Sequence, residues 1–309
     1  MSSNYISYES AINLVKWGEA IAALRAGHRR PKAEIADLIL GPQSATLLNR
    51  AAFIDGLGYG VKAVTVMAEN AAKNLPTVQG AMMVYEGQTG AVTAIIDSRL
   101  VTEIKTASDS VLGAQLLARP DSSKLLIVGA GVVAESLVRA YSAMFPSLAQ
   151  ISIWARRPEQ AQSLVAKLGD VSVPLVVAID LEKSASEADI ISAATMAREP
   201  VLMGDWISAG THVDLIGAFK PDMREADDVL ISKGSLYVDS RDTTVHHIGE
   251  LMIPIAAGVI SEADVKADFY DLIAMTHLAR TSANEITVFK NGGGAHLDLM
   301  IANYIAQLV

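Results

Sequence analysis

Apolar and polar positions change their period once along the chain. In the first thirty residues Ile12, Val15, Glu19 and Ala22 recur at helical spacing, and Gly27 stands where a helix would stop, which predicts one amphipathic helix. Short β-type runs follow at residues 35–40, 46–48, 60–67, 81–85 and 92–96. Turn residues separate them, at Gly41-Pro42, Gly56-Leu57-Gly58, Asn74-Leu75-Pro76 and Gly87-Gln88-Thr89-Gly90. Successive strands without intervening helices predict an antiparallel or mixed sheet.

Near Val101 the pattern shifts. Residues 102–117 read as a helix that ends before Arg119-Pro120-Asp121. Strands and helices then alternate: strand 124–128, helix 132–143, strand 151–154, helix 158–168, strand 175–177, helix 181–187 and strand 190–193. Further strands are predicted at 211–215 and 236–238, and an apolar helix at 297–309. Such alternation predicts a parallel sheet covered on both faces. The expected fold is therefore α/β, a Rossmann-type doubly wound parallel sheet plus an N-terminal α+β unit. The expected division is residues 1–118, joined by 292–309, and residues 119–291.

The sharpest chemical signal lies where the first parallel strand ends, in Gly129-Ala130-Gly131-Val132-Val133-Ala134. A glycine turn alone is a weak motif, but here it follows an apolar strand and opens a helix. Gly129 would allow the tight turn, Gly131 would let backbone N–H groups approach a pyrophosphate, and Ala134 would let helix and sheet pack closely. An NAD pocket places an acidic residue after the second strand to hold the ribose hydroxyls. The chain instead carries Arg156-Arg157 there, whose guanidinium forks suit a 2′-phosphate. The expected cofactor is NADP(H), with NAD(H) as the alternative.

Composition removes other chemistries. Among 309 residues there is no cysteine, which excludes disulfides, thiol nucleophiles and Cys-based metal sites. A formal charge of −9 argues against a nucleic-acid surface. The longest apolar run, residues 125–134, is far short of the ~20 that a membrane span needs, and no secretory signal is visible. A soluble, cytoplasmic protein is expected, with neither membrane nor nucleic acid as partner.

Several motifs fall in order along nearly the full chain: Gly60-Val61-Lys62, Leu75-Pro76-Thr77-Val78-Gln79-Gly80, Thr89-Gly90, Lys105-Thr106-Ala107 with Ser110, and the glycine loop. Ala194-Thr195-Met196-Ala197, Ile216-Gly217-Ala218 with Pro221, and the segment from Glu285 to Lys290 complete the series. The series resembles the ornithine cyclodeaminase/mu-crystallin family. That resemblance implies a homodimer whose first unit supplies the substrate site and the subunit interface. It also implies Thr106 and Thr195 as cofactor contacts, beside the glycine-loop residues Gly129, Ala130, Gly131, Val132 and Val133. Lys32, Lys62 and Lys105 stand at the positions that hold a substrate carboxylate, with Lys62 and Lys105 as the catalytic candidates. The cyclodeaminases carry an aspartate where this chain has Phe219, and phenylalanine can neither give nor take a proton. The resemblance is thus to the branch that reduces the cyclic imine Δ1-pyrroline-2-carboxylate to L-proline, with the six-membered Δ1-piperideine-2-carboxylate as a second substrate. Ornithine cyclodeamination with NAD, dehydrogenation of a simple amino acid, and mu-crystallin-like binding of NADPH and a small ligand without turnover are the alternatives.

Weaker signals remain. His246-His247 with Glu250 has metal-ligand spacing but lacks further partners, so no metal is expected. Asp239 and Ser240 follow a strand end and suit either a cofactor-side role or a helix cap. His296, after three glycines, suits either the site or a hinge.

Overall fold

The computed structural model describes residues 5–42, 44–73 and 75–309; Asn74 of the predicted turn and the first four residues lie outside the described residues. The chain separates into two compact units, Met1–Ser108 with Gly294–Val309, and Asp109–Gly293. The division falls inside a long helix, not at that helix's end.

The first unit opens with β1 (Tyr5–Ile6), α1 (Tyr8–Ala11), a 3-10 turn at Ile12–Leu14, and α2 (Trp17–His28). The single helix expected over the first thirty residues is therefore broken. The Ser7 side chain caps α1 by accepting from Ser10 N–H, and Val15 and Lys16 are extended before α2 begins. Ile12 and Val15 consequently share no helical face with Glu19 and Ala22. Next come β2 (Glu34–Leu40), β3 (Ala45–Ile54), β4 (Gly58–Met67), β5 (Val78–Tyr85), β6 (Val92–Asp97) and α3 (Ser98–Leu117). The strands form one mixed sheet in the order β1-β6-β5-β4-β3-β2, antiparallel throughout except for the β1–β6 pair.

The second unit contains β7 (Lys124–Val128), α4 (Val132–Met144), β8 (Gln150–Trp154), α5 (Pro158–Lys167), β9 (Leu175–Val177), α6 (Leu181–Glu187), β10 (Ile190–Ala193) and β11 (His212–Leu215). It continues with α7 (Asp228–Lys233), β12 (Ser235–Val238), α8 (Arg241–Thr244), α9 (Gly249–Ala256), β13 (Val265–Ala267), α10 (Phe269–Ala274) and β14 (Thr287–Lys290). All eight strands are parallel, in the order β13-β12-β14-β11-β10-β7-β8-β9. Every residue of β10, β11 and β14 is buried, as a sheet covered on both faces requires. From β7 the chain runs outward to β8 and β9, then returns to the other side of β7 as β10. The β7–β10 junction is thus a switch point, where open α/β sheets leave a crevice at their carboxyl ends.

After Gly293 the chain rejoins the first unit as α11 (Ala295–Ala306), which packs against α2, β3 and β4. Its residues are buried from Ala295 through Ala302, so it is a core helix and not a surface one. Gly60 of β4 makes room for it: a Cβ there would lie 2.8 Å from the Leu299 side chain.

Candidate active site

The glycine loop sits at the switch point, and its two glycines do different work. Gly129 has φ +129°, a conformation that disfavours L side chains, and its N–H donates to Trp154 O at 2.8 Å. Gly131 is the N-cap of α4 with no side-chain cap bond, and a Cβ built on it would meet nothing within 4 Å. Open space in front of a helix N-terminus, beside amides without side-chain caps, is the shape and polarity that a pyrophosphate needs. Ala134 is buried under the helix, while Val132 is exposed. At the end of β8, Arg156 and Arg157 are both exposed, and neither has an ion pair with a described residue. The residues present therefore fit a dinucleotide.

A buried carboxylate fixes the loops beyond β10 and β11. Glu225 Oε1 accepts from the N–H and the hydroxyl of Thr195, both at 2.7 Å, and Oε2 accepts from Gly217 N–H at 2.6 Å. Burial, then the nearby Glu250, push the Glu225 carboxyl up to about 8. Glu250 in turn accepts from the N–H groups of Glu225 and Ala226 at 2.8 and 2.9 Å. Lys290, buried at the end of β14, donates to Leu215 O and Asn291 O. Thr195, expected as a cofactor contact, thus spends its hydroxyl proton on Glu225. Glu225 and Lys290 escape the sequence reading as site residues, and Glu250 enters it only as a metal-ligand candidate beside His246-His247. Glu225 lies in a charged run from Asp222 to Asp228 that reads as solvated surface, so nothing local signals its burial.

The first unit holds a second cluster. Lys62 lies on the inward face of β4, between Gly60 and Val64, and is only 6% exposed. Its Nζ is 2.6 Å from Oδ2 of Asp298, which is 1% exposed on α11. Burial pulls the Lys62 ammonium below its usual range; Asp298 opposes that, while Lys105 and Arg50 reinforce it. Burial would raise the Asp298 carboxyl, but Lys62, Lys105 and Arg50 outweigh it and hold the acid below the usual carboxylate range. Lys105, on α3, is also 6% exposed. Arg50 pairs across the β3–β4 ladder with Lys62, and its guanidinium grips Asp37 through Nε at 3.0 and 3.2 Å. Arg50 is thereby neutralised by Asp37 and Lys62 by Asp298. Lys105 has no carboxylate ion pair among the described residues.

The remaining candidates divide. Lys32 is exposed, whereas Thr106 is buried in the same unit as Lys62. His296 belongs to neither hinge nor loop; it is buried inside α11, its ring 5.5 Å from that of His28 in an edge-to-face pair. Burial, and then His28 and the nearby cations, push its pKa well down, which favours the neutral ring. Phe219 is 51% exposed after β11. His246 faces outward, 3.4 Å from Glu262, while Glu250 is buried, so the histidine pair and this acid do not converge. Among the described residues no group of three metal-ligating side chains comes together. Asp239 is a clamp and not a helix cap, since the N-cap of α8 is Ser240. It accepts from Ser240 N–H and the Thr244 hydroxyl through Oδ1, and from the N–H groups of Gly292 and Gly293 through Oδ2.

A doubly wound sheet with a dinucleotide-type loop, in one chain with a mixed sheet that buries two lysines, defines a class of two-unit α/β proteins. Within that class the chain belongs to the ornithine cyclodeaminase/mu-crystallin family, whose profile matches residues 52–309. It is 57% identical over 305 residues to a Δ1-pyrroline-2-carboxylate reductase of Paracoccus denitrificans, covering 99% of this chain and 96% of that protein. Among solved structures, the Δ1-pyrroline-2-carboxylate reductase of Thermococcus litoralis, in complex with NADH and L-proline, matches with a TM-score of 0.91. It is 27% identical, with 98% of this chain and 96% of that one covered. An archaeal alanine dehydrogenase dimer with bound NAD matches with a TM-score of 0.92 and 27% identity, over 100% and 96% of the two chains. No helix among the described residues is long and apolar enough to cross a membrane.

Proposed function

We propose that the chain reduces Δ1-pyrroline-2-carboxylate to L-proline with NADPH as hydride donor, and that the six-membered homologue is a second substrate. One observation carries the reading: Lys62 and Lys105 are both buried, and of the two only Lys62 has a carboxylate ion pair among the described residues, with Asp298. Lys105 is thus a buried ammonium without such a pair. Such a charge costs several kcal/mol in a poorly solvated site unless an anion joins it. The carboxylate of a small imino acid supplies that anion. Lys105 is the anchor with no carboxylate ion pair among the described residues, and Lys62 completes the grip.

Bound in the glycine loop, the reduced nicotinamide supplies the hydride. The loop backbone and the α4 N-terminus hold the pyrophosphate, and Thr195 and Gly217 stay fixed by Glu225. Arg156 and Arg157 support the 2′-phosphate form, since two exposed guanidinium groups stand where an NAD pocket carries an acid. Phe219 supports a reductase over a cyclodeaminase, because it offers no group to handle a substrate amine. The high identity to the Paracoccus reductase points the same way.

The same reading includes a homodimer formed through the first unit. Strand β2 is the edge of its sheet and exposes Leu38, Ile39 and Leu40 in succession, an edge that natural sheets cover.

The test is NADPH oxidation by the purified protein with Δ1-pyrroline-2-carboxylate, with L-ornithine plus NAD⁺ run in parallel. Oxidation with L-proline as product, and no ammonia from ornithine, is the expected result. Ammonia from ornithine, or no turnover of the imine, would sink the reading.

A further inference from the structure

Reduction of a neutral imine needs a proton at nitrogen as well as a hydride at carbon, and the buried ion pair on α11 speaks to the proton. We propose that Asp298 is a positioning residue that orients Lys62 Nζ and holds its proton until the imine nitrogen takes it. The inference rests on the imine-reductase reading above.

Lys62 is enclosed on β4, where the groups facing it are Asp298 from α11, Lys105 from α3 and Arg50 from β3. His296 and Lys32 belong to the same electrostatic cluster, through their influence on that face of α11. Two of the three groups facing Lys62 are cations, and burial also works against its charge. Asp298 alone works for it, at 2.6 Å. Without that acid, Lys62 would tend to give up its proton to bulk water before substrate arrives. The acid itself has no role in holding a substrate carboxylate, since like charges repel. Both its oxygens are buried without a well-aligned hydrogen bond to a described residue; Oδ2 meets Lys62 Nζ as an ion pair, which leaves Oδ1 over. That atom is an unused acceptor beside the donor nitrogen, and it fits the N–H that the protonated imine presents.

The step balances. One N–H bond of the Lys62 ammonium breaks and an N–H bond forms on the imine nitrogen, while hydride from the reduced nicotinamide adds to C2. The imine nitrogen's lone pair forms the new N–H bond, the C=N π pair becomes the lone pair of the secondary amine product, and neutral Lys62 is recharged by solvent.

The experiment compares kcat and imine KM for wild type, Asp298→Asn, Asp298→Glu and Lys62→Arg between pH 6 and 10, with both substrates saturating for kcat. Wild-type turnover is the precondition that belongs to the reductase reading; its absence removes that reading and not the pairing. Given turnover, wild type should lose kcat at alkaline pH as Lys62 deprotonates. D298N should move that limb toward lower pH and lower kcat by about 10²-fold near pH 8, the usual size of a general-acid effect, with imine KM changed far less. D298E should restore part of the rate and the limb. K62R keeps the charge but holds its proton too tightly to give it, so it should lose kcat and show no alkaline limb. If D298N fails to fold, D298E and K62R carry the test alone. A D298N limb that stays where wild type has it, a loss confined to KM, or a K62R enzyme with wild-type kcat would overturn the proposal.

Discussion

An ideal Cβ on Gly129 would lie 2.7 Å from the carbonyl oxygen of Ala194, closer than real Cβ atoms come to backbone. The turn after β7 therefore presses directly on the turn after β10, and a side chain at Gly129 would push the two strand ends apart. Gly131, two residues on, has open space instead.

That contrast separates two substitutions of the same kind. G129A meets both the contact and a φ of +129°, so it should lower stability by about 1–3 kcal/mol, read as a fall in thermal midpoint. G131A should leave the midpoint within about 0.5 kcal/mol of wild type. It should nonetheless weaken NADPH binding about tenfold or more by isothermal titration, because its methyl fills the space the pyrophosphate takes. Equal binding in the two proteins would show that the dinucleotide does not use this loop.

Replacing both Arg156 and Arg157 with alanine removes the groups read as 2′-phosphate ligands. The KM for NADPH should rise about 10-fold to 100-fold while that for NADH stays nearly constant, since a charged hydrogen bond of this kind contributes about 1.5–3 kcal/mol. Parallel changes in both would mean that the arginines serve the fold of α5 and not the phosphate.

Lys105→Ala removes the buried ammonium that has no carboxylate ion pair among the described residues. Its main effect should be a rise in imine KM of about tenfold or more, measured at saturating NADPH, with a smaller change in kcat. Because K105A also relieves a buried cation, its thermal midpoint should not fall much. A KM equal to wild type would remove Lys105 from the site.

Glu285 offers a pH test apart from catalysis. Burial would raise its carboxyl, but Ser235, Thr281 and Lys266 outweigh that and hold it down to about 2. A folded-state value below the unfolded one gives stability that is present above about 4.5 and lost as pH falls toward about 2. The difference in thermal midpoint between wild type and E285Q should therefore be largest near neutrality, a few degrees for each kcal/mol at this size, and shrink below pH 4. A difference that is flat across that range would mean that the carboxylate is not preferentially ionised in the folded protein.

The parallel sheet was legible because its central strands are continuous apolar runs bounded by helical spacing, and the glycine loop was legible because it falls between two such elements. Strands β13 and β14 were not read from period. Val265–Ala267 is too short to show one, and Thr287–Lys290 ends on a buried lysine, which no hydrophobic pattern anticipates. The broken first helix was hidden because Ile12 and Val15 keep helical spacing even where the backbone leaves the helix at Val15. Lys62 is found through the family resemblance, since the run Gly60-Val61-Lys62-Ala63-Val64 has no clean alternation that would single out a charge. Its partner is not found, because α11 is apolar all round and nothing local says which strand an acid on it will meet.

The position of α11 also has a consequence for how the protein is made. Its buried face belongs to the first unit, yet it follows the whole of the second in the order of synthesis. On the ribosome, the mixed sheet must wait with Gly60, Lys62 and the inward side of β3 uncovered while the parallel sheet is translated and closes. The earlier-made half is therefore the later to finish folding, and until α11 emerges the nascent chain carries an open apolar face with a lysine set in it.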